Sequence, residues 1–152
     1  MITKDDFNYL ILEEDYSSVL SLFDEDPFSV RRLLTQLTYA PDTQLHANAI
    51  KAFVMLSKER AQANPLFFTE TIRRHIWGMN EEGGNIDWSA PEIIAAIIAG
   101  NMEQFKEFAP IMFYNALPEL IFHDSLRAAL LLLKAVNPEL TAPYLAELDA
   151  AI

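Results

Sequence analysis

A chain of 152 residues with 51% hydrophobic and 22% charged side chains carries enough apolar material for one sizeable core. At this length roughly 68–70% of the unfolded surface is buried without help from disulfides or metals. Asp and Glu number 22 against 11 Lys and Arg, a net charge of −11; that sign repels phosphate backbones and anionic headgroups, so neither nucleic acid nor a membrane surface is expected as a partner.

The absence of cysteine excludes thiol catalysis, disulfide scaffolds, Cys-ligated zinc and iron–sulfur clusters held by this chain. The charge is unevenly spread. Residues 1–30 hold Lys4 against eight acids, residues 31–100 balance seven bases with seven acids, and residues 101–152 return to an acidic excess. The acidic ends read as a solvated face or as a surface for a basic partner. The first residues lack the basic, apolar, small-residue order of a leader. The longest apolar runs, Ile93 to Ala99 and Ala128 to Leu133, fall short of the ~20 residues that span a bilayer. A cytoplasmic protein with one domain over 1–152 is the expectation.

The pattern is helical nearly throughout. Thr3 is a cap, with Asp5 and Asp6 near the positive end of a first helix carrying Phe7, Leu10 and Ile11. Asp15 caps a second helix with Val19, Leu20 and Phe23. Asp26-Pro27 starts a third, whose Val30, Leu33, Leu34 and Leu37 fall at i, i+3, i+4 and i+7. Pro41-Asp42 breaks it, and a long helix follows from Thr43 to Ala63. Asn64-Pro65 opens a helix to Met79. After the loop from Asn80 to Trp88, Ser89-Ala90-Pro91-Glu92 reads as a capping box for a buried helix that ends at Gly100-Asn101. A helix from Met102 to Asn115 with a bend or restart near Pro110 comes next, then a short one from Pro118 to Phe122. Asp124 or Ser125 caps the helix Leu126–Val136, and Asn137-Pro138 starts the last, with a kink or restart at Pro143. The fold class is all-α, with eight to ten helices.

An internal repeat emerges at an offset of 42 residues. Ser29-Val30-Arg31-Arg32-Leu33-Leu34 aligns with Thr71-Ile72-Arg73-Arg74-His75-Ile76, and Leu37 with Met79. An apolar, alanine-containing helix follows each, and Leu126–Val136 is a third. Helix pairs every ~40–47 residues are the period of HEAT and armadillo repeats. The chain resembles a small HEAT-like α-solenoid: a cap over 1–25, then about three repeats over 26–150 in a short right-handed α-α superhelix. Asp124-Ser125-Leu126-Arg127-Ala128-Ala129-Leu130 is similar to the second helix of such a repeat. Leu45-His46 and Ala90-Pro91 depart from that pattern at the comparable places. Met79-Asn80-Glu81-Glu82-Gly83-Gly84 leading into Trp88-Ser89-Ala90-Pro91-Glu92 resembles a loop of small HEAT-like bacterial proteins, which implies a fold and no reaction.

That loop concentrates the chemistry. Asn80, Glu81, Glu82, Asp87, Trp88 and Glu92 are the candidate binding residues. Between Asn80 and Trp88, three carboxylates, two glycines that permit close approach and a tryptophan anchor suit a partner or ligand. In the structural alternative, Gly83-Gly84 turns the chain, Trp88 packs beside the next helix and the acids are solvated. A calcium loop would need Asp-x-Asp-x-Asp-Gly, which is missing, and adjacent Glu81 and Glu82 need not share one cleft for acid–base work. His46, His75 and His123 lack the spacing of a helical metal site and read as core-edge or surface residues. The twin arginines pair with neighbouring acids or line an anionic-ligand groove between repeats. Phe105, Phe108, Phe113 and Tyr114 read as core. No nucleophile elbow, phosphate loop or dinucleotide fingerprint occurs.

These features point to a non-enzymatic protein-interaction scaffold or adaptor that binds a protein or peptide with a basic patch. No catalytic residue, metal or cofactor is expected. The alternative is a small-ligand-binding protein or enzyme with a carboxylate site in the 80–92 loop. Base excision, an activity of some HEAT-like proteins, needs a cationic concave face that a charge of −11 disfavours.

Overall fold

The computed structural model describes residues 2–81 and 87–152. In chain order the helices are α1 (Lys4–Leu12), α2 (Tyr16–Glu25), α3 (Pro27–Leu37), α4 (Gln44–Arg60), α5 (Pro65–Met79), α6 (Ala90–Gly100), α7 (Met102–Phe105), α8 (Phe108–Ala116), α9 (His123–Val136) and α10 (Pro138–Ala151), with a 3-10 turn at Leu120–Phe122 before α9. Among the described residues there is no strand, and the fold is all-α. None of their helices is long and apolar enough to cross a membrane.

Several starts follow from side-chain chemistry. The oxygens of Thr3, Asp15, Asp26 and Thr43 accept from the backbone N–H three residues on, satisfying donors that the first turn leaves free. The Asp26 carboxylate also accepts from the Ser29 hydroxyl, and these hydrogen bonds hold its carboxyl below the ordinary aspartate range.

The core is organised around α6. Ile93, Ile94, Ala95, Ala96, Ile97 and Ile98 are all fully buried, because their sequence leaves the helix no polar face. A helix apolar on every side must be surrounded. α4 and α9 cover it most extensively, with α5 and α8 closing the remaining sides. The approach of α4 is close. A Cβ added at Gly100 would lie 2.4 Å from the Val54 carbonyl oxygen, and the Ser57 hydroxyl donates to the Ile97 carbonyl at 2.6 Å.

Four sequence expectations are changed or narrowed. Ser89 is not a capping serine: its backbone (φ −98°, ψ 7°) lies outside the extended region of a cap, and its hydroxyl donates to the Thr38 carbonyl instead. The Glu92 amide that a local cap would serve is taken by the Ser125 hydroxyl, which accepts at 3.3 Å. Tertiary partners have replaced the capping box. Second, between Met102 and Asn115 the chain takes the restart rather than the bend. The break falls after Phe105, and Pro110 sits in the first turn of α8, where its missing N–H costs little. Third, the stretch after Pro118 makes only a 3-10 turn, and α9 begins at His123 with no side-chain cap from Asp124 or Ser125. Fourth, α10 runs unbroken through Pro143. Of the four aromatics read as core, Phe105 and Phe113 are buried, whereas Phe108 is half-buried and Tyr114 exposed.

Candidate functional site

Three faces of α5 separate three environments. Thr71, Arg74 and His75 face α3; Arg73, Ile76, Trp77 and Asn80 face α8; Phe68, Ile72 and Met79 enter the core. Each set follows helical spacing of three and four residues, so the segregation is a direct consequence of the α5 sequence.

The α3–α5 cleft has a volume of about 460 Å³. From α3 it receives Phe28, Arg31, Arg32, Thr35 and Gln36, followed by Tyr39, a single stripe at helical spacing. Arg31 is 8% exposed. Its guanidinium lies 5.2 Å from the Phe28 ring centroid and 5.0 Å from that of Phe67, and it donates to the Thr71 hydroxyl at 3.1 Å. Two rings and a hydrogen bond thus fix it in place. Its charge is poorly compensated. The nearest carboxylate, Glu70, stands 4.0 Å away and at the same distance from Arg74. Burial, and secondarily repulsion from Arg74, push the Arg31 guanidinium below its ordinary pKa.

Asp87 also lines this cleft. One carboxylate oxygen, Oδ2, bonds His75 Nδ1 at 2.5 Å. The other, Oδ1, is buried and lacks a hydrogen-bond partner among the described residues. Asp87 reaches this position by lying on Gly78, where a Cβ would meet its Oδ2 at 2.9 Å and its Cβ at 3.0 Å. Burial first, and then the Asp87 charge, raise the pKa of nearby Tyr39.

A second imidazole–carboxylate pair ties α4 to the start of α6. His46 Nδ1 lies 3.0 Å from the Thr38 carbonyl, and Nε2 lies 2.9 Å from Glu92 Oε2. The carbonyl can only accept, so Nδ1 donates and Nε2 shares one proton with Glu92. Thr38 takes a further hydrogen bond from Ser89, so its carbonyl joins three segments. This pair borders a cavity of about 780 Å³ that includes Trp88, Asp124 and Ser125. Among the described residues no serine hydroxyl bonds a histidine ring.

The α5–α8 groove, about 900 Å³, is of a different kind. Ile76, Trp77, Phe108 and Ile111 line it, with Arg73 towards one end and Asn80 and Glu81 towards the other. Trp77 is 74% exposed. Asn80 anchors the end of α5 by donating to Asn115 Oδ1 of α8 at 2.8 Å. No protein family, curated protein or solved structure matches the chain.

The six candidates from the 80–92 region therefore diverge. Asn80 and Glu81 sit at the α8 groove, Asp87 lines the α3 cleft, and Trp88 and Glu92 border the cavity beside His46. Glu82 lies outside the described residues, as does Gly83-Gly84. Among the described residues, no three His, Asp or Glu side chains gather as a metal site. Asp87 is half-buried rather than freely solvated, and Trp88 remains 56% exposed rather than packing away beside its helix. His46 and His75 are paired with carboxylates, a role that residue spacing did not reveal because the partners are 46 and 12 positions away. Arg31 was legible in part: the twin-arginine repeat marked it, but burial and ring contacts come only from the packing of α3 on α5.

Proposed function

We propose that the protein is a non-enzymatic interaction module that seats an amphipathic helix of a partner protein in the α5–α8 groove. The observation that carries this reading is Trp77, a large aromatic side chain held in water beside Ile76, Phe108 and Ile111. Exposed apolar surface rimmed by polar groups is typical of binding sites, and tryptophan is enriched among residues that dominate binding energy. Rim charges select the occupant and its direction. A basic residue of the partner helix lies against Glu81, and an acidic one against Arg73. Glu119 adds to the negative end, which agrees with a partner carrying a basic patch.

The HEAT-like reading belongs to the same proposal. α3–α4, α5–α6 and α8–α9 are its three pairs, and the successive stacking of α4, α6 and α9 supports it. Repeat scaffolds of this kind offer extended surfaces for binding partners. The alternative, small-ligand binding, is favoured by the charged α3–α5 cleft, which is a separate surface.

Selection from a library of amphipathic helical peptides tests the groove. Enriched peptides are expected to carry apolar residues at i, i+3 or i+4, and i+7, with a basic residue at one end and an acidic one at the other. Trp77→Ala should weaken them by about tenfold or more while leaving the melting temperature unchanged, because Trp77 is mostly solvated. Glu81→Lys should reverse the preference at the basic end. Enrichment of peptides that bind Trp77→Ala as well as the wild type overturns the proposal.

A further inference from the structure

The cleft between α3 and α5 is built unlike the rest of this acidic surface. Elsewhere arginines meet carboxylates at close range: Arg60 grips Asp24 with two hydrogen bonds of 2.8 and 2.9 Å, and Arg127 bonds Asp149 at 2.8 Å. In the cleft, Arg31 and Arg74 share one glutamate at 4.0 Å, and Arg32 adds a third cation to the lining. A buried guanidinium is costly unless its charge is met. Here it is immobilised by two rings and Thr71, which lowers the ordering cost of binding something further. The same lining holds Asp87, whose Oδ1 is buried and has no hydrogen-bond donor among the described residues. The pocket therefore combines poorly compensated positive charge from its arginines with one carboxylate.

We propose that this cleft binds a small organic oxyanion, its phosphoryl or carboxylate oxygens seated between Arg31 and Arg74 and a hydroxyl or amino hydrogen of the same molecule donated to the Asp87 carboxylate. Planar guanidinium groups match such oxyanions through paired hydrogen bonds. Asp87 would repel an anion placed against it, so the anionic group belongs at the arginines and the donor at Asp87. A volume of about 460 Å³ falls in the range of metabolite sites, roughly 300–1,000 Å³. The site is independent of the Trp77 groove, since it lies on another face of α5.

Calorimetry and amide chemical shifts with four probes separate the components: inorganic phosphate, ribose 5-phosphate, gluconate and neutral ribose. Ribose 5-phosphate is expected to bind at least about tenfold more tightly than inorganic phosphate, with shifts centred on Thr71 and Tyr39. Gluconate binding more tightly than ribose 5-phosphate assigns the carboxylate source, and the converse the phosphoryl one; ribose alone should not bind. Arg74→Gln, at a largely exposed side chain, should keep the wild-type melting temperature and weaken binding by about tenfold. Asp87→Asn should remove the preference for ribose 5-phosphate over phosphate. The proposal is overturned if no probe binds the folded wild type at roughly 20 mM, or if Arg74→Gln binds as well as the wild type. Trp77→Ala should leave this binding unchanged, so failure here and failure of the groove reading are distinguishable.

Discussion

Replacing Gly100 with alanine is expected to lower the unfolding free energy by about 3–5 kcal/mol. Alanine ordinarily favours a helix over glycine by about 1 kcal/mol, so the expected sign is opposite to the local propensity. The reason is the crossing with α4. The new methyl would stand 2.4 Å from the Val54 carbonyl oxygen, 2.7 Å from the Ser57 Cβ and 2.9 Å from the Lys58 amide nitrogen. Two of these are backbone atoms of a helix and cannot rotate aside. α4 and α6 must separate, and the buried Ser57–Ile97 hydrogen bond stretches with them. Denaturant unfolding at unchanged slope gives the loss directly. In a chain of this size it corresponds to a fall in melting temperature on the order of 10 °C. Stability equal to the wild type would mean that the helices are free to slide, and the account of the α4–α6 crossing would be wrong.

Gly100 also illustrates how far the sequence could be read. Its role as a helix end was legible, because Gly100-Asn101 is a stop signal and α6 does end there. Its role as a contact was not, since nothing local says that α4 passes over it. The same division recurs along the chain. The burial of α6 was legible from composition alone. Thr3, Asp15 and Asp26 were legible as caps because the bond they make is three residues long. Ser89 had the same local signature and does something else, because Thr38 competes for its hydroxyl across a separation of 51 residues. Local chemistry predicts a bond only where no distant partner offers a better one.

The candidate site divides for a related reason. A sequence places Asp87, Trp88 and Glu92 together, but three side chains entering a helix point in different directions. Asp87 turns back onto α5, while Glu92, on the first turn of α6, faces α4. The second pair of arginines separates in the same way, whereas Arg31 and Arg32 both line the α3 cleft. Arg74 lines the α3 cleft and Arg73 the α8 groove, because adjacent positions on a helix are about 100° apart. The 42-residue offset marked all four arginines, and Arg31, Arg32 and Arg74 line a single cleft.

Gly78→Ala is the second large effect, and it tests whether Asp87 is held by the surface of α5. Propensity alone predicts a gain of about 1 kcal/mol. The expected result is a net loss of about 2 kcal/mol, because the added methyl falls 3.0 Å from the Asp87 Cβ and 2.9 Å from Oδ2. A short side chain cannot clear that contact by changing rotamer when its own Cβ is involved, so the backbone at 87 must shift. Its hydrogen bond to the buried His75 ring, about 1.5–3 kcal/mol for a charged acceptor, is then lost. The Ala90 amide, which donates to the Asp87 carbonyl at 3.1 Å, should exchange faster and report the displacement directly. A double-mutant cycle isolates the cause. In an Asp87→Gly background the obstructing Cβ is gone, and Gly78→Ala should become neutral or stabilising by up to about 1 kcal/mol. That reversal of sign separates a specific contact from a general intolerance of α5 to substitution. If Gly78→Ala stabilises the wild type as well, Asp87 is not seated on α5, and neither its pairing with His75 nor its place in the anion cleft survives.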